Sequence, residues 1–281
     1  MLGYEPMRHA TAWLSLLVAT LVAGGLACSA PAVHDATFVP AEPGVLRVAT
    51  SLPAPGFWNG ASPETVSGGY EYAIASALAQ RWRLQLEIVD VPFGRLVAGD
   101  LAGADLALAQ IAVTPERSRV LALSVPYLPA NMGVLAPAGA AIQDLASARA
   151  QRWVVEDGTT ELDFLRRIVR PAHEPTIVPS RDQTLQVLAD NGADAALLDL
   201  PTALATAHRS GGRLAVPGQF VSDQQLAAAL PHGSSNLEPL NAVLRNLMAA
   251  GRLAGFERAE LVPVLGRDPA RVPVIVARTA A

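Results

Sequence analysis

Thr114-Pro115-Glu116-Arg117 is the most chemically pointed run in this 281-residue chain. Thr is a favoured helix N-cap, Pro suits the first helical position, and Arg follows in the first turn. A cation there opposes the helix dipole, so the guanidinium calls for an anionic partner. Free N–H groups at a helix start plus a guanidinium form a carboxylate site; the alternative is a surface Arg paired with Glu116 or another acid. Gly158-Thr159-Thr160 falls between a strand and a helix beginning near Glu161. It offers either backbone N–H groups and a hydroxyl to an anion, or an ordinary turn with a Thr cap. Asp199 ends an apolar strand just before Leu200-Pro201. Ligands of open parallel sheets bind beyond the carboxyl ends of strands, where a carboxylate suits an ammonium group. Asp199 also suits the N-cap of the helix over Pro201 to His208, and the two roles are compatible. Phe57, in the loop after the first strand, supplies an aromatic either to a pocket wall or to the core. Phe93 is the weaker candidate for the same wall.

Other chemistries are excluded or unsupported. Cys28 is the one cysteine, so neither an intrachain disulfide nor a cysteine metal cluster is possible. His9, His34, His173, His208 and His232 show no metal-binding spacing. No cofactor is expected. No nucleophile–base pair or triad pattern is present, which argues against an enzyme. The formal net charge of -4 lacks the basic excess that nucleic acids require. A hydrophobic fraction of 51% supports a sizeable core.

The elements that must position these residues follow from pattern. Met7-Arg8-His9 precedes an apolar run to Ala27, which reads as a signal peptide over residues 1–27. Gly25-Leu26-Ala27-Cys28 resembles the lipobox of bacterial lipoproteins, with Gly25 where Leu is preferred; it implies lipidation of Cys28 and a membrane anchor. Ordinary cleavage nearby is the alternative. Residues 28–43, rich in Ala and Pro, read as a flexible tether. From Gly44 strands alternate with helices: strands at 45–50, 84–91, 104–111, 151–156, 176–178 and 193–199, and an amphipathic helix carrying Tyr70, Ala73, Ile74, Ala77 and Leu78. Ser180–Gln183 and Ser235–Glu238 are capping boxes that open helices. The alternation implies α/β architecture with mainly parallel sheets flanked by helices. The run beyond Gly266 has no assigned role.

Five stretches carry a resemblance. Gly69-Tyr70-Glu71-Tyr72 opens a helix. Residues 104–117 (ADLALAQIAVTPER) lead to Ser124-Val125-Pro126-Tyr127. Gly158-Thr159-Thr160 and residues 193–199 (ADAALLD) follow in order. Over about 44–261 the series resembles the family 3 extracellular solute-binding proteins, the amino-acid binders of ABC importers. The resemblance implies a two-lobed periplasmic-binding-protein type II fold with two hinge strands. Lobe 1 would be 44–134 plus 224–266, lobe 2 would be 135–223, and 267–281 a tail. It implies a monomer that delivers an amino acid or similar carboxylate to an ABC permease. Arg117 and Thr160 would hold the ligand carboxylate, Asp199 its ammonium, and Phe57 a pocket wall. Two positions depart from the family pattern: Gln110 replaces a usual Gly or Ser, and Ala112 replaces a usual hydroxyl residue. The Ala112 N–H remains able to bind carboxylate, and Gln110 offers a substitute acceptor. Two other functions fit the same fold: a cyclohexadienyl-dehydratase-like enzyme using Glu156 or Asp157 as proton donor, and a ligand-sensing receptor for a separate transducer.

Overall fold

The computed structural model describes residues 37–277; the expected signal peptide and Cys28 lie outside the described residues. The first elements are β1 (Val45–Thr50), α1 (Tyr70–Trp82), β2 (Gln85–Asp90), α2 (Phe93–Val97), β3 (Leu106–Ala112), β4 (Leu121–Leu123) and β5 (Leu128–Pro137). Then come α3 (Leu145–Arg149), β6 (Trp153–Glu156), α4 (Thr160–Phe164), β7 (Thr176–Val178), α5 (Arg181–Ala189), β8 (Ala195–Asp199) and α6 (Leu200–Arg209). The chain closes with β9 (Leu214–Pro231), α7 (Leu237–Ala249) and α8 (Arg252–Phe256).

The strands run in the order β2-β1-β3-β9-β5-β8-β6-β7, with β4 also on β9. β1 is parallel to β2 and β3. β6 is parallel to β7 and β8. These two parallel groups are joined by the antiparallel pair β5 and β9, matched from Leu128 opposite Leu226 to Pro137 opposite Leu214. Register shifts after Ala130 and after Val134 interrupt that ladder, and such bulges bend and twist strands. One half-sheet therefore carries Arg117 just past the end of β3, and the other carries Asp199 at the end of β8.

Local sequence accounts for these elements. Every residue of β3 is buried, as expected for a strand covered on both faces. Gly69, at φ +116, begins α1; a Cβ there would lie 2.2 Å from the Phe57 carbonyl oxygen, so only Gly lets the 53–58 loop cross the helix start. The Ser180 hydroxyl accepts from the Gln183 N–H at 3.3 Å and opens α5 as expected. The expected Ser235–Glu238 capping box does not form. α7 starts at Leu237 with Asn236 in the cap position, and the Asn236 side chain makes no cap bond.

Asn236 is engaged elsewhere, and this corrects the expected tether for residues 37–43. Its amide exchanges hydrogen bonds with the Val39 backbone at 2.9 and 2.8 Å. Phe38 is buried and stacks on Trp82 at 3.9 Å between ring centroids. The Ala41 N–H donates to Asp105 at 2.7 Å. One buried aromatic is enough to dock a short extended segment, because burying an apolar side chain yields about 1.5–3 kcal/mol. The C-terminal run docks too. Gln219 in β9 accepts from the Ile275 N–H and donates to the Pro273 carbonyl, both at 2.8 Å. Its side chain donates to Pro269 and Val272 carbonyls at 3.0 and 2.9 Å. Ile275 is buried among Met132, Val134 and Phe220.

Candidate functional site

The site begins at a defect in β3. The β3–β9 register shifts between Ala107 and Ile111, and Gln110 adopts φ +51. A left-handed conformation costs a non-Gly residue about 1–2 kcal/mol. A buried acid offsets that cost: Glu71, second residue of α1, accepts from the Gln110 N–H at 2.8 Å and from its Nε2 at 2.5 Å. Trp58 Nε1 donates to the same carboxylate at 2.8 Å, and the Tyr127 hydroxyl donates as well. Burial raises the Glu71 pKa, and these four donors oppose the rise.

Beyond β3 the chain turns and presents Arg117. The Thr114 hydroxyl accepts from the Arg117 N–H at 3.2 Å, but this corrects the expected cap: Glu116, not Thr114, holds the cap position of the helix that follows and makes no side-chain cap bond. That helix is only a 3₁₀ turn over Arg117–Arg119. Glu116 is exposed whereas Arg117 is buried, which removes the surface-pair alternative. The guanidinium donates to the Ala112 carbonyl at 2.8 Å and to the Gly158 carbonyl at 3.1 Å. It lies 5.3 Å from the Phe93 ring centre, a cation–π arrangement. Burial lowers the Arg117 pKa, while Glu161 and Asp199 act against this.

The opposite wall comes from β6, α4, α5 and β8. Thr159 is the N-cap of α4, its hydroxyl accepting from the Leu162 N–H at 3.3 Å. The Thr160 hydroxyl accepts from Gln224 Nε2 and donates to Glu161 at 3.2 Å. Arg181, first residue of α5, donates to the Pro53 carbonyl at 2.9 Å across the cleft. Asp199 stands at the start of α6 without making a cap bond, so its carboxylate is not committed to that helix. Withdrawal from water, then the neighbouring Glu161, push Asp199 well above the usual carboxylate range. Burial likewise raises Glu161, and it raises Glu156 against the pull of Arg181.

Arg117, Thr160, Asp199 and Gln110 therefore meet in one cleft, with Phe93, Glu156, Glu161 and Arg181. The gap between them is about 20 Å³, close to the space of one water molecule. Several buried polar atoms there lack a partner: Gln110 Oε1, Glu161 Oε1 and Arg181 Nε, with Gln224 Oε1 adjoining. Two expectations are corrected. Phe57 is fully buried in the core, edge-on to Tyr70 at 6.2 Å, and Phe93 lines the cleft in its stead. The Gly69 crossing pulls the 53–58 loop inward and takes Phe57 with it. Ala112 does not line the cleft; it contributes through its carbonyl to Arg117. Asp157 is exposed, and of the two acids considered as proton donors Glu156 alone lines the cleft.

Sequence reasoning missed Glu161, Arg181 and Gln224. Glu161 had a signal, since it directly follows Thr160 in the first turn of α4. Arg181 carried none, because its capping-box context explains it as a helix start. Among the described residues no group of His, Cys, Asp or Glu is arranged to hold a metal ion. No helix among them is long and apolar enough to cross a membrane.

Comparison with known proteins bears on the same region. An L-cystine-binding protein, TcyJ of Escherichia coli, is 25% identical over 191 residues, covering 66% of this chain and 71% of its own. A solved amino acid ABC transporter substrate-binding protein from Streptococcus pneumoniae, bound to L-arginine, superposes with a TM-score of 0.68 at 25% identity. That match covers 79% of this chain and 94% of the other. The solute receptor for L-cysteine of Neisseria gonorrhoeae gives a TM-score of 0.69 at 25% identity, covering 79% and 92%. These neighbours have the type II periplasmic-binding-protein fold, and this chain shares it. The profile of the bacterial extracellular solute-binding proteins, family 3, matches residues 46–259, and the chain belongs to that family.

Proposed function

We propose that this protein captures an amino acid in the cleft and presents it to an ABC permease. One observation carries the reading: a buried guanidinium, Arg117, and an uncapped carboxylate, Asp199, line the same small space from the two half-sheets. That pair is complementary to a zwitterion. Arg117 takes the α-carboxylate, aided by the Thr160 hydroxyl and the turn before it; Asp199 takes the α-ammonium. Residues 44–134 with 224–266 move as one lobe against 135–223, flexing at the bulges of β5 and β9. The tail docks on the hinge strand at Gln219 and travels with the second lobe. The relatives named above, described as binding cystine, arginine or cysteine, support an amino-acid ligand. The protein acts outside the cytoplasm, held at the membrane through Cys28. A thermal-shift screen against the amino acids at millimolar concentration tests the binding claim. A shift with at least one supports it; no shift with any counts it out.

Glu156 favours a second reading, elimination from a prephenate-like acid. It is buried in the cleft, and burial holds its pKa above the usual range, which suits a general acid. Turnover of prephenate or arogenate that disappears in Glu156→Gln would establish it. No turnover by the wild type would leave binding alone.

A further inference from the structure

The lining of the cleft is not balanced for a neutral zwitterion. Three carboxylates (Glu156, Glu161 and Asp199) face two guanidinium groups, Arg117 and Arg181. Acids outnumber cations in that lining by one. The crowding of acids shows in Asp199, whose carboxyl pKa is raised by burial and then by Glu161, and a zwitterion does not relieve it.

Hydrogen bonding is skewed in the same sense. Both guanidinium groups already donate to carbonyls: Arg117 to Ala112 and Gly158, Arg181 to Pro53. The atoms without partners are mostly acceptors: Gln110 Oε1, Glu161 Oε1 and Gln224 Oε1, against one donor, Arg181 Nε. Gln110 and Glu161 are only 4% and 6% exposed. A buried polar atom without a partner costs about 1–3 kcal/mol. Two such acceptors line the cleft and a third, Gln224 Oε1, adjoins it, and together they call for a guest rich in N–H groups. A metal ion is the other guest that would satisfy carboxylates, and the described residues contain no group arranged for one.

We propose that the ligand is an amino acid with a cationic side chain, and that Glu161, with Gln110, selects it by receiving the second positive group. This rests on the amino-acid reading above and adds the charge of the side chain. Asp199 serves the α-ammonium, Arg117 the α-carboxylate, and Glu161 the distal ammonium or guanidinium. Phe93 borders the apolar stem between them. Glu161 is thereby the specificity-determining residue of the site.

Calorimetric titration of the full chain with L-arginine, L-ornithine, L-citrulline, L-glutamine, L-glutamate and putrescine tests this. Citrulline has nearly the shape of arginine without the charge. At least one of arginine and ornithine should bind about tenfold or more tighter than citrulline and glutamine, the scale of one charge-assisted contact. Glu161→Gln should reduce that ratio to about threefold or less, with circular dichroism unchanged. Citrulline, glutamine or glutamate binding as tightly as the cations overturns the selector while leaving the amino-acid reading intact. So does a ratio unchanged in Glu161→Gln. Binding of putrescine with no amino acid bound keeps the acidic selector and removes the carboxylate clamp. No binding by any of the six overturns the cationic selector and leaves the amino-acid reading to the thermal-shift screen.

Discussion

Glu71 and Glu161 occupy matching places in the two half-sheets. Each is the second residue of a helix, α1 and α4, and each is buried. A carboxylate in the first turn of a helix complements its dipole in both cases. Their surroundings differ. Glu71 accepts from Trp58, from Tyr127 and twice from Gln110, and neither of its oxygens is left without a donor. Glu161 accepts from Thr160 on one oxygen, and the other has no partner. Burial alone therefore does not distinguish a structural acid from a functional one. The completeness of the donor set does, since a satisfied carboxylate locks its neighbours and an unsatisfied one retains affinity for something else.

The sharpest way to break this comparison is Glu71→Leu. It strands the Gln110 N–H, the Tyr127 hydroxyl and part of the Trp58 indole in the core. Urea unfolding should show a loss of about 3 kcal/mol or more, since each stranded donor costs about 1–3 kcal/mol. A loss below about 1 kcal/mol would mean the cluster is not a structural lock.

Next come the two charged residues proposed to hold the ligand. Arg117→Ala and Asp199→Asn should each weaken binding of the ligand found by screening by about thirtyfold or more, the lower end of the 2–5 kcal/mol cost of truncating a buried charged pair. Calorimetry measures this directly. If Arg117→Ala binds normally while folded, the carboxylate clamp is wrong. A neutral Asp199→Asn beside a defective Arg117→Ala points to a ligand without an ammonium group.

A smaller effect is expected for Glu161→Leu on the free protein. Removing an incompletely satisfied buried carboxylate should change stability by within about 1 kcal/mol in either direction, in contrast to Glu71→Leu. Comparable losses in both variants would erase the distinction between the two glutamates.

The smallest expected signal is in pH. Asp199 is pushed up by burial and by Glu161, with Arg181 and Arg117 opposing and Glu71 adding to the rise. A carboxyl whose folded pKa is raised binds its proton more tightly when folded. Its stabilising share is complete below its unfolded pKa of about 3.9 and is lost as pH rises through the raised value. The melting temperature of the free protein should therefore fall as pH rises above about 4, and fall less steeply in Asp199→Asn. Equal slopes would show that Asp199 titrates normally.

Much of this protein was determined locally. β1 and β7 have the bounds that their apolar runs predict, and the Ser180 cap opens α5 because the hydroxyl acceptor and the Gln183 N–H donor lie three residues apart. Arg117, Thr160 and Asp199 were legible because strand ends and helix starts mark where open sheets bind, and the ordered motifs resembled one family. What sequence alone left undecided depends on contacts distant along the chain. β5 and β9, which join the halves, pair residues as far apart as Leu128 and Leu226 and carry no local signature of that pairing. Phe38 and Val39 look like linker until Trp82 and Asn236 meet them. Phe57 and Phe93 are equivalent aromatics after adjacent strands; the Gly69 crossing places one in the core and leaves the other at the cleft. Whether Glu161 is a solvated helical acid or an unsatisfied acceptor in the cleft was decided only by tertiary structure, because hydrogen-bond completeness belongs to the folded surroundings and not to the residue.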